Sequence, residues 1–145
     1  MMKESHIDLY MELAANAARH SHAIKLKVGC ICVTDDHQII SIGYNGTPSG
    51  WDNCCEYHDD KFGLITKHEV IHAEANCISK LATSTISSVG SNIFCTHAPC
   101  MDCAKLIYGA KIKRVYYSQL YRSLDGIDFL TKVGIEVIRW NHQLH

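Results

Sequence analysis

The sequence predicts a three-layer α/β/α sandwich in which a mixed sheet of about five strands is covered by helices. Three observations predict this class. An amphipathic segment and two apolar runs open the chain, and strand-like and helix-like segments then alternate from residue 69 onward. Alternation produces βαβ crossovers, which give parallel strand pairs with helices packed on the sheet. No repeat, low-complexity tract or linker divides the 145 residues, so we expect one domain spanning 1–145.

The individual elements are predicted from periodicity and from turn residues. Apolar residues recur at helical spacing from Ile7 to Ala18, with Ser5 as the expected N-cap. Apolar runs at 28–33 and 39–44 flank Asp35-Asp36 and predict a β-hairpin. The later elements are predicted as helices at 69–81, 100–109 and 126–133, strands at 92–96, 115–118 and 135–138, and helix-ending glycines at Gly109 and Gly134.

The segment 45–67 is polar and rich in turn residues, and we expect a long connecting loop there. A loop of this length inside a compact domain is usually functional or disordered.

Composition restricts the classes of partner. The formal net charge of −1 argues against a nucleic-acid polymer, because proteins that bind one usually carry a basic surplus. The first residues lack the layout of a secretion signal, and no apolar run approaches membrane-spanning length. We therefore expect a cytoplasmic protein (in the host cytoplasm for a viral one) without a membrane partner. Eight cysteines and ten histidines in such a chain favour metal binding over disulfides.

The strongest local motif is Cys100 and Cys103, which follow Pro99 at the start of a predicted helix. Two thiols at this spacing can bind one ion, and the free backbone N–H groups of a helix start favour thiolates. A C-x-x-C pair in a βαβ setting is equally typical of a redox dithiol. The motif alone leaves both interpretations open.

His72 and Glu74 favour the metal interpretation. They lie near the start of the preceding predicted helix, and helices that follow parallel strands begin at the same edge of a sheet. His72, Cys100 and Cys103 are therefore expected to converge as three ligands with an open fourth position, the arrangement of catalytic zinc. A lone histidine or glutamate near a helix start is usually an ordinary polar residue, so the joint pattern carries the inference.

The pair of motifs H-x-E and P-C-x-x-C is the signature of zinc-dependent nucleobase deaminases. Further segments make the sequence resemble the deoxycytidylate (dCMP) deaminase family of the cytidine deaminase superfamily over most of its length. These segments are 27–29, 43–50, 66–76, 98–103, 109–117 and 134–137. The resemblance implies the cytidine deaminase-like fold and hydrolytic deamination of dCMP to dUMP with release of ammonia, a step of pyrimidine nucleotide metabolism.

The resemblance also implies the catalytic roles. His72, Cys100 and Cys103 would hold Zn²⁺, which lowers the pKa of a bound water and makes hydroxide available for attack on C4 of cytosine. Glu74 would carry the water proton to N3 and then help to protonate the departing ammonia.

Substrate-binding residues are implied in the same way. Asn45 would hold the sugar and Tyr121 would pack against the base. Ala73 is also predicted to be a substrate-binding residue. Lys25 and Arg122 are the candidates for the substrate phosphate. Relatives often have arginine where Lys25 stands, and lysine makes a point-charge contact where arginine makes a bidentate one.

The segment after Asn45 resembles an allosteric nucleotide site, although on the residues alone it is simply a good turn. The residues of this expected site are Gly46, Thr47, Pro48, Ser49, Gly50 and Asn53. By resemblance, dCTP with Mg²⁺ would activate and dTTP would inhibit, across the subunits of a homo-hexamer. Some relatives hold a second, structural zinc in this region, and the candidate ligands here are Cys54, Cys55, His58 and His68.

Three alternatives remain open at this stage. A zinc-dependent deaminase of another cytosine or adenine substrate, such as tRNA, would share the zinc motif but should carry a basic face. A zinc-stabilised binding module without activity would have no use for Glu74. A thiol redox protein would leave Cys100 and Cys103 free of metal.

Overall fold

The computed structural model describes residues 2–141, which form four helices and seven strands. The helices are α1 (Glu4–Arg19), α2 (Ala73–Leu81), α3 (Met101–Gly109) and α4 (Asp125–Lys132). The strands are β1 (Gly29–Val33), β2 (Ile39–Tyr44), β3 (Glu56–Asp59), β4 (Gly63–Thr66), β5 (Asn92–His97), β6 (Arg114–Gln119) and β7 (Glu136–Arg139).

Five strands form one mixed sheet in the order β2-β1-β5-β6-β7. β1 is antiparallel to both β2 and β5, whereas β5, β6 and β7 are parallel. Since β2 and β5 both run opposite to β1, the carboxyl ends of β2, β5, β6 and β7 lie at one edge of the sheet. This is the edge at which ligands bind in sheets of this kind.

The two faces of the sheet are covered by different helices, which confirms the predicted three-layer sandwich. Ile31, Phe94 and Tyr116 pack against α1, and the rings of Phe94 and Tyr116 are stacked with their centroids 4.7 Å apart. Cys30, Cys32 and residues of α2, α3 and α4 form the core on the other face. All five residues of β1 are buried, which explains why it appears as an uninterrupted apolar run.

Close approach between helix and sheet depends on glycine at two positions. A Cβ on Gly43 would meet the backbone of Ala73 and lie 2.6 Å from the Cys77 nitrogen. A Cβ on Gly29 would meet the carbonyl oxygen of Ala14 in α1. Gly43 therefore lets the start of α2 rest directly on β2.

The first predicted boundary that is wrong is the N-cap of α1. Ser5 lies inside α1, whose N-cap position is Lys3 and has no side-chain cap. The helix thus begins at Glu4, about one turn before Ile7, the first residue of the apolar pattern that predicted it.

The second helix also begins later than predicted, at Ala73. Residues before it are drawn into a bridge in which Ile71 and Gly46 exchange two backbone hydrogen bonds of 2.8 and 3.1 Å. His72 then takes an extended N-cap conformation.

The segment 45–67 differs most from expectation, because it contains the hairpin of β3 and β4. Its turn is stabilised by Asp59, whose carboxylate accepts the N–H groups of Lys61 and Phe62 at 2.8 and 2.9 Å, and by Gly63 at a φ of 76°. Strands of four residues without clear alternation give little sequence signal.

The two helix-ending glycines behave differently. Gly134 has a φ of 89° directly after the C-cap of α4, as predicted. Gly109 is the last residue of α3 itself, and the left-handed conformation falls on Lys111 instead, at a φ of 61°. No helix within residues 2–141 has the length and apolar character needed to cross a membrane.

Candidate metal centre and active site

The three predicted metal ligands come together at the carboxyl edge of the sheet. His72 and Cys100 occupy the N-cap positions of α2 and α3, and neither position has a side-chain cap. The Nδ1 atom of His72 lies 3.5 Å from Sγ of Cys100 and 3.4 Å from Sγ of Cys103. All three donor atoms lie within 4.8 Å of one another, as the sequence predicts.

The chemistry and spacing of this group fit zinc. Two thiols and one imidazole are typical zinc ligands, and three protein ligands leave one position open for a water or substrate. Tetrahedral bonds of about 2.0–2.1 Å to nitrogen and about 2.3 Å to sulfur place the two donor atoms about 3.5 Å apart. The distances of 3.4 and 3.5 Å from His72 Nδ1 to the two sulfurs match this spacing.

The protonation of the group also favours a cation. Hydrogen bonding from Cys103 and then from His72 lowers the pKa of Cys100 to about 4. The pKa of Cys103 is raised, first by its hydrogen bond with Cys100 and then by burial. The Cys100 thiolate in turn raises the pKa of His72. One thiolate is thus present at neutral pH, and metal binding would displace the remaining protons of the group.

Glu74 is a buried carboxyl group beside this centre. It lies in the first turn of α2 and is only 4% exposed. Burial raises its pKa, although hydrogen bonding with Cys103 and the charge of His72 oppose the shift. A carboxyl group with a raised pKa in a cavity suits proton transfer near neutral pH.

A cavity of about 280 Å³ opens beside His72, Glu74 and Cys100. All five predicted substrate-binding residues also line it: Lys25, Asn45, Ala73, Tyr121 and Arg122. Segments far apart in the sequence therefore surround one space, the arrangement expected of a small-molecule site.

Asn45 uses part of its amide to fix the neighbouring backbone. Its Oδ1 accepts the N–H of Val28 at 2.9 Å, and its Nδ2 donates to the carbonyl of Leu26 at 2.8 Å. One amide N–H and one lone pair remain for a ligand. Asn45 thus positions the segment before β1 as well as lining the cavity.

Two exposed cations stand at this cavity. The Arg122 guanidinium lies 5.6 Å from the centroid of the Tyr121 ring, a cation–π contact. Within residues 2–141, neither Lys25 nor Arg122 forms an ion pair with a carboxylate. Both charges are available to an anionic ligand.

Comparison with known families decides the assignment. The family described as "Cytidine and deoxycytidylate deaminase zinc-binding region" matches residues 4–119, which contain the three ligands and Glu74. The chain belongs to the cytidine and deoxycytidylate deaminase family. The resemblance inferred from the sequence motifs is confirmed.

Relatives in this family are similar over most of the chain. The deoxycytidylate deaminase of Enterobacteria phage T4 is 30% identical, with 88% of this chain and 86% of the phage protein covered. The human deoxycytidylate deaminase is 32% identical over 81% of this chain and 67% of its own length. The dCMP deaminase of cyanophage S-TIM5, crystallised with dCMP and dUMP, is 42% identical with a TM-score of 0.90. That comparison covers 97% of this chain and 100% of the cyanophage chain.

Sequence reasoning missed several residues of this deaminase site. Glu56 lines the cavity although it lies on β3, inside the expected loop. His97 also lines it, at the carboxyl end of β5. His97 lies three residues before Cys100, and this proximity to a predicted metal ligand could have identified it from the sequence. No spacing pattern identifies Glu56.

A hydrogen-bond chain connects His97 to the start of β1. Gly29 donates its N–H to Oγ1 of Thr96 at 3.1 Å, and this oxygen lies 2.8 Å from Nδ1 of His97. Burial lowers the pKa of His97, so the neutral ring is favoured.

Gly126 is a further residue that the motif search missed. A Cβ at this first turn of α4 would meet the carbonyl oxygen of Pro99 and lie 2.9 Å from the carbonyl carbon of Cys100. The absence of a side chain lets α4 pack directly on the peptide that carries a metal ligand.

The expected allosteric residues lie on an exposed loop beside the site. Gly46 is bonded to Ile71, one residue before His72. Thr47 donates its hydroxyl to the carbonyl of Asp52 at 2.5 Å, and Gly50 adopts a φ of 88°. The loop is therefore stabilised by a hydrogen bond of its own, and the Gly46–Ile71 bridge links it to the segment that ends at His72.

The four candidate ligands of a second zinc are not brought together. No three of their donor atoms lie within 4.8 Å of one another, so the structure does not show a second metal site formed by these residues. Cys54 and Cys55 instead direct their sulfurs to the carbonyls of Glu56 and Asn53. His58 is exposed, and the His68 side chain is fully exposed. The hairpin separates residues that proximity in sequence had grouped.

Proposed function

We propose that this chain hydrolyses dCMP to dUMP, consuming one water and releasing one ammonia. The observation that carries this proposal is one cavity beside the His72–Cys100–Cys103 group that is lined by buried Glu74 and by two cations without a carboxylate partner within residues 2–141. The names of the relatives and the cyanophage enzyme crystallised with dCMP and dUMP support the same substrate.

The proposed chemistry assigns one task to each group. His72, Cys100 and Cys103 would hold zinc, which when bound lowers the pKa of a coordinated water to near 7 and so supplies the nucleophile. Glu74 accepts a proton at its carboxylate, delivers it to N3 of the ring and then assists protonation of the leaving amine at C4. Its burial excludes bulk water from this transfer.

Recognition of the substrate is assigned to the rest of the cavity. Lys25 and Arg122 bind the 5′-phosphate, and Tyr121 packs against the base. Asn45 binds the sugar with the amide capacity that Leu26 and Val28 leave free. Ala73, as the first residue of α2, offers a backbone N–H that the helix itself does not use.

Regulation belongs to the same proposal. Gly46, Thr47, Pro48, Ser49, Gly50 and Asn53 form an effector site for dCTP with Mg²⁺ as activator and dTTP as inhibitor. The Gly46–Ile71 bridge supports this role, because it joins the loop to the segment entering α2. The enzyme then acts as a cytoplasmic homo-oligomer, a hexamer by resemblance.

Ammonia release tests the proposal with dCMP, deoxycytidine, CMP and a tRNA as substrates, each with and without dCTP and Mg²⁺. We expect turnover of dCMP, faster with dCTP, and little or none of the tRNA. Turnover of the tRNA alone would replace this function with editing of a polymer. Stoichiometric zinc with no turnover of any substrate would favour a zinc-stabilised binding module.

A further inference from the structure

The segment 20–28, which joins α1 to β1, carries Lys25 to the cavity without regular secondary structure. Side-chain hydrogen bonds hold its two ends. Ser21 donates its hydroxyl to the carbonyl of Asn45 at 2.7 Å and accepts the N–H of Ala23 at 3.2 Å. The Asn45 amide fixes residues 26–28. The centre of the segment, at Ile24 and Lys25, needs an anchor of its own.

Glu56 supplies that anchor from the first position of β3. Its carboxylate accepts the N–H of Ile24 at 2.8 and 3.1 Å and the N–H of Lys25 at 3.3 Å. Glu56 is only 5% exposed and lines the same cavity as Lys25. A residue 31 positions away in the sequence thus binds the backbone of Lys25, to which phosphate binding is assigned above.

The burial of this carboxylate calls for a reason. Burying a charge is costly unless hydrogen bonds satisfy it. Within residues 2–141, no side-chain nitrogen of a lysine, arginine or histidine lies within 4.0 Å of the Glu56 carboxylate, so backbone N–H groups are its partners in the segment. A second anion beside a phosphate site would by itself weaken phosphate binding. Its contacts with Ile24 and Lys25 indicate what offsets that repulsion.

We propose that Glu56 is the positioning residue for phosphate recognition: it fixes the Ile24–Lys25 backbone so that the Lys25 ammonium stays at the cavity. This inference rests on the proposed function, because it requires a ligand with a phosphate. Without Glu56, the side-chain hydrogen bonds that remain to the segment within residues 2–141 are those of Ser21 and Asn45, neither of which reaches Ile24 or Lys25, and Lys25 samples positions away from the phosphate. The loss falls on ligands that carry a phosphate and spares those that lack one.

Isothermal titration of the zinc-loaded enzyme with dUMP and with deoxyuridine tests this role, since binding is measured without turnover. We expect Glu56→Ala to weaken dUMP binding about tenfold, the scale of one charge-assisted contact, while deoxyuridine binding changes less than about twofold. Lys25→Met should give the same selective loss, and the double variant should bind dUMP no more weakly than Lys25→Met alone. Glu69→Gln, an acid on the segment before α2 outside the cavity, is the matched control and should behave as wild type.

Equal weakening of both ligands in Glu56→Ala would assign Glu56 a merely structural role and overturn the proposal. Unchanged binding of both, or a wild type that binds dUMP no better than deoxyuridine, would also overturn it. Should Glu56→Ala fail to fold, Glu56→Gln retains one accepting oxygen and should show a smaller loss confined to dUMP. Deamination of dCMP by the wild type is measured separately, so failure of the proposed function is distinguished from failure of the Glu56 role.

Discussion

Two cysteine pairs show how position decides what a thiol does in this molecule. Cys30 and Cys32 are two residues apart on β1, face α2, α3 and α4, and are completely buried. Burial raises the pKa of Cys30 well above its usual range and that of Cys32 to about 12. Cys100 and Cys103 are three residues apart at the start of α3, where hydrogen bonding from Cys103 and His72 lowers the pKa of Cys100 to about 4.

The contrast teaches that cysteine content alone does not locate a metal site. A sulfur surrounded by apolar atoms stays protonated and acts as a small hydrophobe. The Cys100 sulfur, at a helix start beside an imidazole and a second thiol, has a lowered pKa that favours the thiolate and reduces the cost of deprotonation on metal binding, whereas the pKa of its neighbour Cys103 is raised.

The largest effect is expected when one cysteine of each pair is replaced and the zinc content of the two variants is compared. Cys100→Ala should lose bound zinc and all turnover, because two donor atoms do not hold the metal against dilution or a chelator. Cys32→Ala should keep one zinc per chain. Zinc analysis of the two purified variants checks this, and equal zinc content in both would refute the distinction.

The chemistry of the two pairs differs in its pH dependence as well. In metal-free enzyme, the pKa of about 4 keeps Cys100 a thiolate throughout the range above pH 5, so its rate of alkylation should stay nearly flat from pH 8 to pH 5.5. An ordinary thiol, with a pKa of about 8.5, should react several-hundred-fold more slowly at pH 5.5 than at pH 8.5. Mass spectrometry after timed iodoacetamide treatment follows each cysteine separately. A Cys100 rate that rises steadily up to pH 8.5 would show that the low pKa is wrong.

The metal ligands were accessible to sequence reasoning because both lie at helix starts beyond strands that share a direction. H-x-E and P-C-x-x-C, placed at the starts of two successive predicted helices, therefore predicted their convergence at one edge of the sheet. The layers of the fold followed from the same alternation of elements. Both predictions depend on patterns within short stretches of sequence: the spacing of residues in a motif and the periodicity of apolar residues in one helix or strand.

Glu56 and Gly126 were not accessible, because each acts on backbone distant in sequence. Glu56 binds N–H groups 31 and 32 positions away. Gly126 matters because its lack of a side chain lets the peptide between Pro99 and Cys100 pack against α4. The start of α2 was misplaced for a related reason. Residues 69–72 were grouped with the Ala- and Glu-rich segment that follows them, but pairing between Gly46 and Ile71 keeps Ile71 out of the helix.

A smaller effect is expected at Gly126, where α4 packs against the backbone of Pro99 and Cys100. Gly126→Ala forces the helix start away from Pro99 and Cys100, which should cost about 1–3 kcal/mol of unfolding free energy and lower zinc affinity about tenfold. Gly109→Ala is the matched control, because nothing lies within 4 Å of its added Cβ. Thermal unfolding and competition with a zinc chelator measure the two quantities. Equal behaviour of the two variants would contradict the packing account.

The smallest expected effect belongs to the buried pair. Cys32→Ala removes one sulfur that packs in the core and contacts the hydroxyl of Ser91 at 3.2 Å. We expect a loss of about 1 kcal/mol in unfolding free energy, similar to deletion of one buried methylene group, with turnover per folded enzyme unchanged. Denaturant unfolding measures the stability. A loss of zinc in this variant would show that the two pairs are not independent.

The central claim is that Glu74 transfers protons beside a zinc that three other side chains hold. Its most direct test is zinc content and dCMP turnover measured together in Glu74→Gln, which keeps the size of the side chain and removes its acid–base function. We expect about one zinc per chain, because the His–Cys–Cys centre stays intact, and a kcat at least about 10³-fold below that of the wild type. Turnover near the wild-type rate, or loss of zinc together with activity, would contradict it.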